Sequence, residues 1–258
     1  PLDIQLVYAT DRTKVIGRPY LTLAADALTR MVFGYYLTLD PPSYLSVAMC
    51  LLQGVLPKDD VVQRFDLRQP WPIFGLPTNV HTDNGKEFHS KPLERFAQQY
   101  EVALEYRPVR QPWWGGQIER VIGTVNRTVH HLPGTTKGSV AAKGTYDAEA
   151  RAVFTIEEIE AHLARNIVER YHCETHSELG KSPLQAWEEA TGSGRFVPAL
   201  PPDVDRFRID LLPYEERTIQ REGLALFGLD YADGFLQTLR GAERRGSSPA
   251  KHHRMRTS

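Results

Sequence analysis

The chain has little cysteine, almost no net charge and no long apolar run. Cys50 and Cys173 are the only cysteines in 258 residues. One lies in an apolar stretch and the other beside His172, so a disulfide scaffold is excluded and a reducing cytoplasm is the expected compartment. Lys and Arg number 31 against 32 Asp and Glu, a net charge of −1. That balance excludes a uniformly basic nucleic-acid coat while leaving room for a local basic patch. No apolar run approaches the about 20 residues that span a bilayer, and no signal peptide opens the chain, which argues against a membrane protein. His172, Cys173 and His176 lie close together, but no second pair of thiols stands at zinc-finger spacing.

What is present is a hydrophobic fraction of 41%, enough for one catalytic-size domain and a smaller appendage. Leu2, Ile4 and Leu6 alternate with polar neighbours as in a half-buried strand, and 20–25 and 31–39 read as two further strands of an antiparallel meander. Pro41-Pro42-Ser43 opens a helix with Leu45, Ala48, Met49, Leu52 and Leu56 on one face, Ser43 being the expected N-cap. The segment 59–77 is polar and proline-spaced and reads as a long surface connection. Beyond it, Leu93, Phe96 and Tyr100 share a helix face, 102–106 reads as a strand, and 134–139 as a mobile loop. Thr155 and Ser182-Pro183 open two more helices.

Two clusters each carry one acid. Val80-His81-Thr82-Asp83-Asn84-Gly85-Lys86-Glu87-Phe88 places Asp83 at the end of a short strand, where Asn84-Gly85 supplies the turn. Trp113-Trp114-Gly115-Gly116-Gln117-Ile118-Glu119-Arg120 leads into a helix patterned by Ile118, Val121, Ile122 and Val125, with Glu119 near its start. Carboxylates brought from separate elements of an α/β sheet suit a hard divalent cation such as Mg²⁺, which takes oxygen ligands and keeps waters for substrate phosphates. With Thr82 to Phe88, with 35 residues between Asp83 and Glu119, and with the Gly-Gly-Gln-Ile-Glu-Arg setting of the latter, the chain resembles the retroviral-integrase superfamily. The likeness is to the large bacterial DDE transposases of the Mu-transposase type.

The resemblance implies an α/β, ribonuclease H-like fold, a mixed five-stranded sheet with flanking helices, followed by a truncated small β-barrel. The order of strands and helices read above agrees with it. Residues 1–191 would form the integrase-like catalytic core, its end matching the family at 171–177 and 182–187. Residues 192–205 would be a Gly/Pro-rich linker, and 206–239 a partial barrel opened by strands at 206–213 and 217–224. The basic stretch 240–258 is expected to be disordered. Implied with the fold are Mg²⁺ or Mn²⁺ held by Asp83 and Glu119, metal-dependent DNA cleavage and strand transfer, and transposon-end and target DNA as partners. A homo-oligomer on DNA, an accessory transposition ATPase and a nucleoid-associated, cytoplasmic location are implied as well. The family's catalytic set has a third acid on the first strand, a few residues upstream of a Pro-Leu-Asp string. That string is Pro1-Leu2-Asp3 here, so the sequence is expected to begin just past the acid and strand transfer to be impaired. The alternative functions are a remnant that binds DNA or a full-length subunit without cutting, and a ribonuclease H-like nuclease. Asp3 is expected to point to the opposite sheet face from that acid, because strand side chains alternate.

The remaining candidates have a structural and a functional side. Asp26 reads as a turn-forming residue. His81 shares a strand face with Asp83 and reads as structural. Arg107, Arg110, Arg120 and Arg127 flank the acidic pair and are candidates for gripping DNA phosphates, with Arg120 foremost. Trp113 and Trp114 suit either base stacking or packing. His130-His131 read as helix-end residues, and 251–254 as a solvated basic tail.

Overall fold

The computed structural model describes residues 1–82, 85, 88–106, 116–136, 147–194, 196–226, 228–243 and 254–256. They divide into two compact units, Pro1–Leu211 and Leu212–Ser258.

In the first unit Leu2, Ile4 and Leu6 are buried as the alternation requires, but only β1 (Leu6–Val7) pairs as a strand, antiparallel to β2 (Val15–Gly17). The amides of Leu2, Gln5 and Val7 donate to the carbonyls of Pro19, Gly134 and Phe154. The expected first strand is therefore shorter than its pattern, because its hydrogen bonds run to connecting segments. A hairpin follows, with β3 (Tyr20–Ala25) antiparallel to β4 (Val32–Thr38). Its turn is closed as expected by Asp26, whose carboxylate accepts from the Thr29 amide at 2.7 Å and hydroxyl at 2.6 Å. Helix α1 (Tyr44–Val55) begins after Ser43, whose amide donates to Ser46 Oγ at 3.2 Å, and lies against β4. The approach is so close that a Cβ on Gly34 would sit 2.5 Å from the Cys50 carbonyl oxygen; only glycine fits.

The surface connection expected at 59–77 is a correction. It contains α2 (Asp59–Arg64) and buries Leu67, Trp71 and Ile73. Trp71 stacks on Tyr35 at 5.9 Å and donates its indole N–H to the Val32 carbonyl at 2.8 Å. Buried Lys58 ties the segment down by donating to the carbonyls of Gly54 (2.9 Å), Leu56 (3.2 Å) and Ile73 (2.6 Å). Prolines here route an anchored strap, a role the polar composition hid.

Next, β5 (Asn79–Thr82) and β6 (Ala103–Tyr106) pair in parallel with α3 (Lys91–Gln99) between them, the long crossover that parallel strands need. The expected continuous five-stranded sheet is not formed among the described residues: the strands are hydrogen-bonded only in pairs, β1 with β2, β3 with β4, β5 with β6. The fold is nonetheless mixed α/β. Helices α4 (Gly116–Val129), α5 (Ile156–Arg165), a π-helical segment (Asn166–Tyr171) and α6 (Pro183–Gly192) complete one side of the core. Thr155 and Ser182 cap α5 and α6 as expected, each accepting from the backbone amide three residues on.

Helix α7 (Val204–Leu211) corrects the strand expected at 206–213. Phe207 and Leu211 are buried against α1 and α3, whereas Ile209 is 44% exposed. Asp203 starts the helix by accepting from the Arg206 amide at 2.8 Å, a good N-cap. Residues 196–199 of the expected linker lie within the first unit, Ala199 accepting from the Leu76 amide at 2.8 Å and Phe196 packing on Trp187.

The second unit holds β7 (Tyr214–Glu216) paired with β10 (Arg254–Arg256), the hairpin β8 (Leu224–Leu226) and β9 (Leu229–Tyr231), and α8 (Gly234–Glu243). These are two separate pairs; no barrel closes among the described residues. Of the tail expected to be disordered, 254–256 is a paired strand.

Candidate functional site

Glu119 lies in the first turn of α4. Val121, Val125 and Val129 recur every four residues and are buried with Ile159, Leu163 and Ile167. This apolar stripe fixes the helix, and Glu119, two positions before Val121, falls outside it on an exposed face. The segment leading to the other acid is β5, which ends at Thr82. Thr82 is buried, and its hydroxyl has no partner among the described residues. Asp83 lies outside the described residues, as do Arg107, Arg110, Trp113 and Trp114. Past it, the Phe88 amide donates to the Gly85 carbonyl at 3.0 Å. The Phe88 carbonyl in turn accepts from the Tyr106 hydroxyl at 3.0 Å, and His89 stacks on Tyr106 at 4.2 Å. Residues 88 and 89 are thereby pinned to the end of β6. His81 faces Glu105, Nδ1 to carboxylate 3.2 Å, across the β5–β6 pair.

The far half of α4 meets Asp3. The Asp3 carboxylate accepts from Arg18 at 2.5 Å and Asn126 Nδ2 at 2.8 Å and lies 3.2 Å from His130 Nε2, while its amide donates to Asn126 Oδ1 at 2.9 Å. Its side chain is only 16% exposed. Asp3 is thus a joint between the N-terminal segment and the helix of Glu119, with its oxygens committed.

The near half of α4 is held by charge. Arg120 pairs with Glu178, whereas Arg127, in the last turn of the helix, is exposed and donates to Thr124 Oγ1 at 2.9 Å. Glu178 also pairs with Arg30 at 3.6 Å, and the Arg120 guanidinium beside it holds its carboxyl below the usual carboxylate range. Arg30 and Glu178 were not singled out in the sequence, where neither has an acidic or basic run to mark it. His172 is fully buried and accepts from the Val32 amide at 3.0 Å, burial pushing its pKa down to about 3. Cys173 donates to the Val168 carbonyl at 3.4 Å. Among the described residues no group of three or more His, Cys, Asp or Glu is placed to hold a metal ion, and no helix is long and apolar enough to cross a membrane.

Residues 1–134 match the TnsB C-terminal domain family. That is more than half of the chain and encloses both acidic clusters; the chain belongs to this family. It is 27% identical over 229 residues to the transposase for transposon Tn552 of Staphylococcus aureus, covering 88% of this chain and 44% of that protein. It is 28% identical over 260 residues to the transposon Tn7 transposition protein TnsB of Escherichia coli, covering 91% of this chain and 36% of that protein. The chain therefore spans less than half the length of these curated relatives. Similar solved structures include the catalytic core domain of BIV integrase, at 15% identity and TM-score 0.37 over 69% of this chain and 97% of that one. Another is the HTLV-2 integrase catalytic core domain in complex with magnesium, at 12% identity and TM-score 0.38 over 65% of this chain and 92% of that one.

Proposed function

We propose that this chain is the catalytic region of a DNA transposase with a ribonuclease H-like core, in which Asp83 and Glu119 hold Mg²⁺ or Mn²⁺ for cleavage and transfer of DNA strands. The observation that carries this is the family match over 1–134, which encloses both acids, together with the exposed carboxylate of Glu119 on a helix whose opposite face is fixed by buried valines. Both donors are hard oxygens, as these ions require. The buried Thr82 hydroxyl immediately before Asp83, without a partner among the described residues, adds a polar atom at the same strand end. A bound divalent ion supplies charge to activate the attacking oxygen and to stabilise the leaving one. The protein's part is to hold the carboxylates on fixed elements and the DNA backbone beside them. Arg107, Arg110, Arg120 and Arg127 are the cations for the phosphates, and Trp114 is a platform for a base. The partners of this reading are transposon-end and target DNA, further copies of the chain assembled on that DNA, and an accessory transposition ATPase.

The test is Mn²⁺ binding followed by electron paramagnetic resonance, alongside Mn²⁺-dependent nicking of transposon-end DNA. Asp83→Asn and Glu119→Gln should each weaken Mn²⁺ binding at least about tenfold, which is the loss of roughly 1.4 kcal/mol or more, with unchanged melting temperature. Equal Mn²⁺ affinity in all three proteins would overturn the reading.

A further inference from the structure

The described residues bring Arg30, Gln117, Arg120 and Glu178 together from three separate parts of the chain. Arg30 closes the β3–β4 hairpin with φ of 65°, a left-handed backbone that is costly for a side-chain-bearing residue. Its amide donates to the Asp26 carbonyl at 2.9 Å, and its own carbonyl accepts from the Tyr171 hydroxyl at 2.9 Å. The guanidinium, 15% exposed, donates through Nη1 to the Ala27 carbonyl and to Gln117 Oε1 on the first turn of α4. Its Nε–H is buried and has no partner among the described residues. Opposite stands Arg120, one position past Glu119. Glu178, on the turn before α6, reaches between them, one carboxylate oxygen toward Arg30 and the other toward Arg120.

A carboxylate straddled by two guanidiniums occupies the place that a phosphate fits, since both present oxygens to planar N–H forks. We infer that Arg30 and Arg120 form a phosphodiester-binding clasp beside Glu119, and that Glu178 is its intramolecular occupant, displaced when DNA arrives. This rests on the DNA-processing function proposed above. The Glu178 and Arg120 side chains are 40% and 58% exposed, and ion pairs so placed contribute little to stability. A polyanion carrying many phosphates can displace such a pair. Arg30, in contrast, is held by its hairpin, Tyr171 and Gln117, so it stays in position after Glu178 leaves.

The experiment is fluorescence-anisotropy titration of the full chain with a short labelled DNA duplex, without divalent metal, over a range of salt concentrations. Glu178→Gln, nearly isosteric, should tighten binding by about three- to tenfold at low salt. It should also steepen the dependence of log affinity on log salt by up to about 0.9 for each phosphate newly engaged. Arg120→Gln in the Glu178→Gln background should reverse that gain and the added slope; Arg30→Gln should do the same where it folds, as judged by circular dichroism. Wild-type affinity and slope in Glu178→Gln, with DNA bound by both, would overturn the clasp while leaving the transposase reading standing. No DNA binding by any of these proteins would overturn the clasp, and Mn²⁺ binding by Asp83 and Glu119 would then show whether the catalytic reading fails with it.

Discussion

The two halves of α4 are secured by different physics. From Val121 onward the helix is wedged into the core by Val121, Val125 and Val129, and toward its C-terminal end it is stitched to the N-terminal segment through Asp3, Asn126 and His130. Toward its N-terminal end, where Glu119 sits, polar side-chain contacts join it to its neighbours: Gln117 with Arg30, and Arg120 with Glu178. Buried apolar contact and a mostly buried polar joint give a fixed base, while exposed charge gives contacts that solvent and ligands can exchange. A helix built this way can present a carboxylate at a constant position while the charges around it rearrange.

Substitutions on the two halves should separate accordingly. The largest effect is expected from Val125→Asp, which places an unpaired carboxylate in the core; the cost is several kcal/mol, and cooperative thermal unfolding should be lost by calorimetry. Next comes the acid response of the shared core. Buried His172 has its pKa pushed down to about 3, below the usual 6.5 of an unfolded chain, so between those values the unfolded state binds the extra proton. Stability should therefore fall as pH drops through that window, by up to about 1.4 kcal/mol per pH unit. His172→Gln keeps an acceptor for the Val32 amide and should flatten the curve in urea titrations; an unchanged acid limb would refute this. Asp3→Ala, at the joint, should cost about 1–3 kcal/mol by stranding Arg18 and Asn126, read as a lower urea midpoint. Smallest should be Glu178→Gln, with a urea midpoint close to that of wild type in the same titration. A loss as large as that of Asp3→Ala would mean that the near half is as firmly built as the far half.

Much of this contrast was legible in the sequence. Val121 and Val125 of the buried stripe, the place of Glu119 near the helix start, the Asp26 turn and the caps at Ser43, Thr155 and Ser182 all follow from local periodicity and short-range hydrogen bonding, which depend on neighbours in the chain, whereas Ile122, read with that stripe, is 37% exposed. The failures have physical causes too. Phe207, Ile209 and Leu211 satisfy a period of two, but Phe207 and Leu211 alone satisfy a helix, and only the exposure of Ile209 decides between them. The segment 59–77 read as a surface connection because the partners that bury Trp71, Tyr35 and Val32 among them, lie in earlier elements. The Arg30–Glu178–Arg120 contact unites a hairpin, a helix and a turn that share no local pattern. Of the acidic pair, Glu119 stands where the periodicity put it, and Asp83 belongs to the residues outside the structural description.

The π-helical segment 166–171 has its own consequence. Its wider turn, in which the His172 amide donates to the Ile167 carbonyl five residues back at 2.9 Å, takes up one residue more than an ordinary turn would. Winding the same residues at ordinary α-helical pitch would instead turn everything downstream by roughly one residue's angle, about 100°. The Tyr171 hydroxyl would leave the hairpin and the imidazole of His172 would leave the strand amide together. The wide pitch of this one stretch thus acts as a vernier that sets two distant contacts at once.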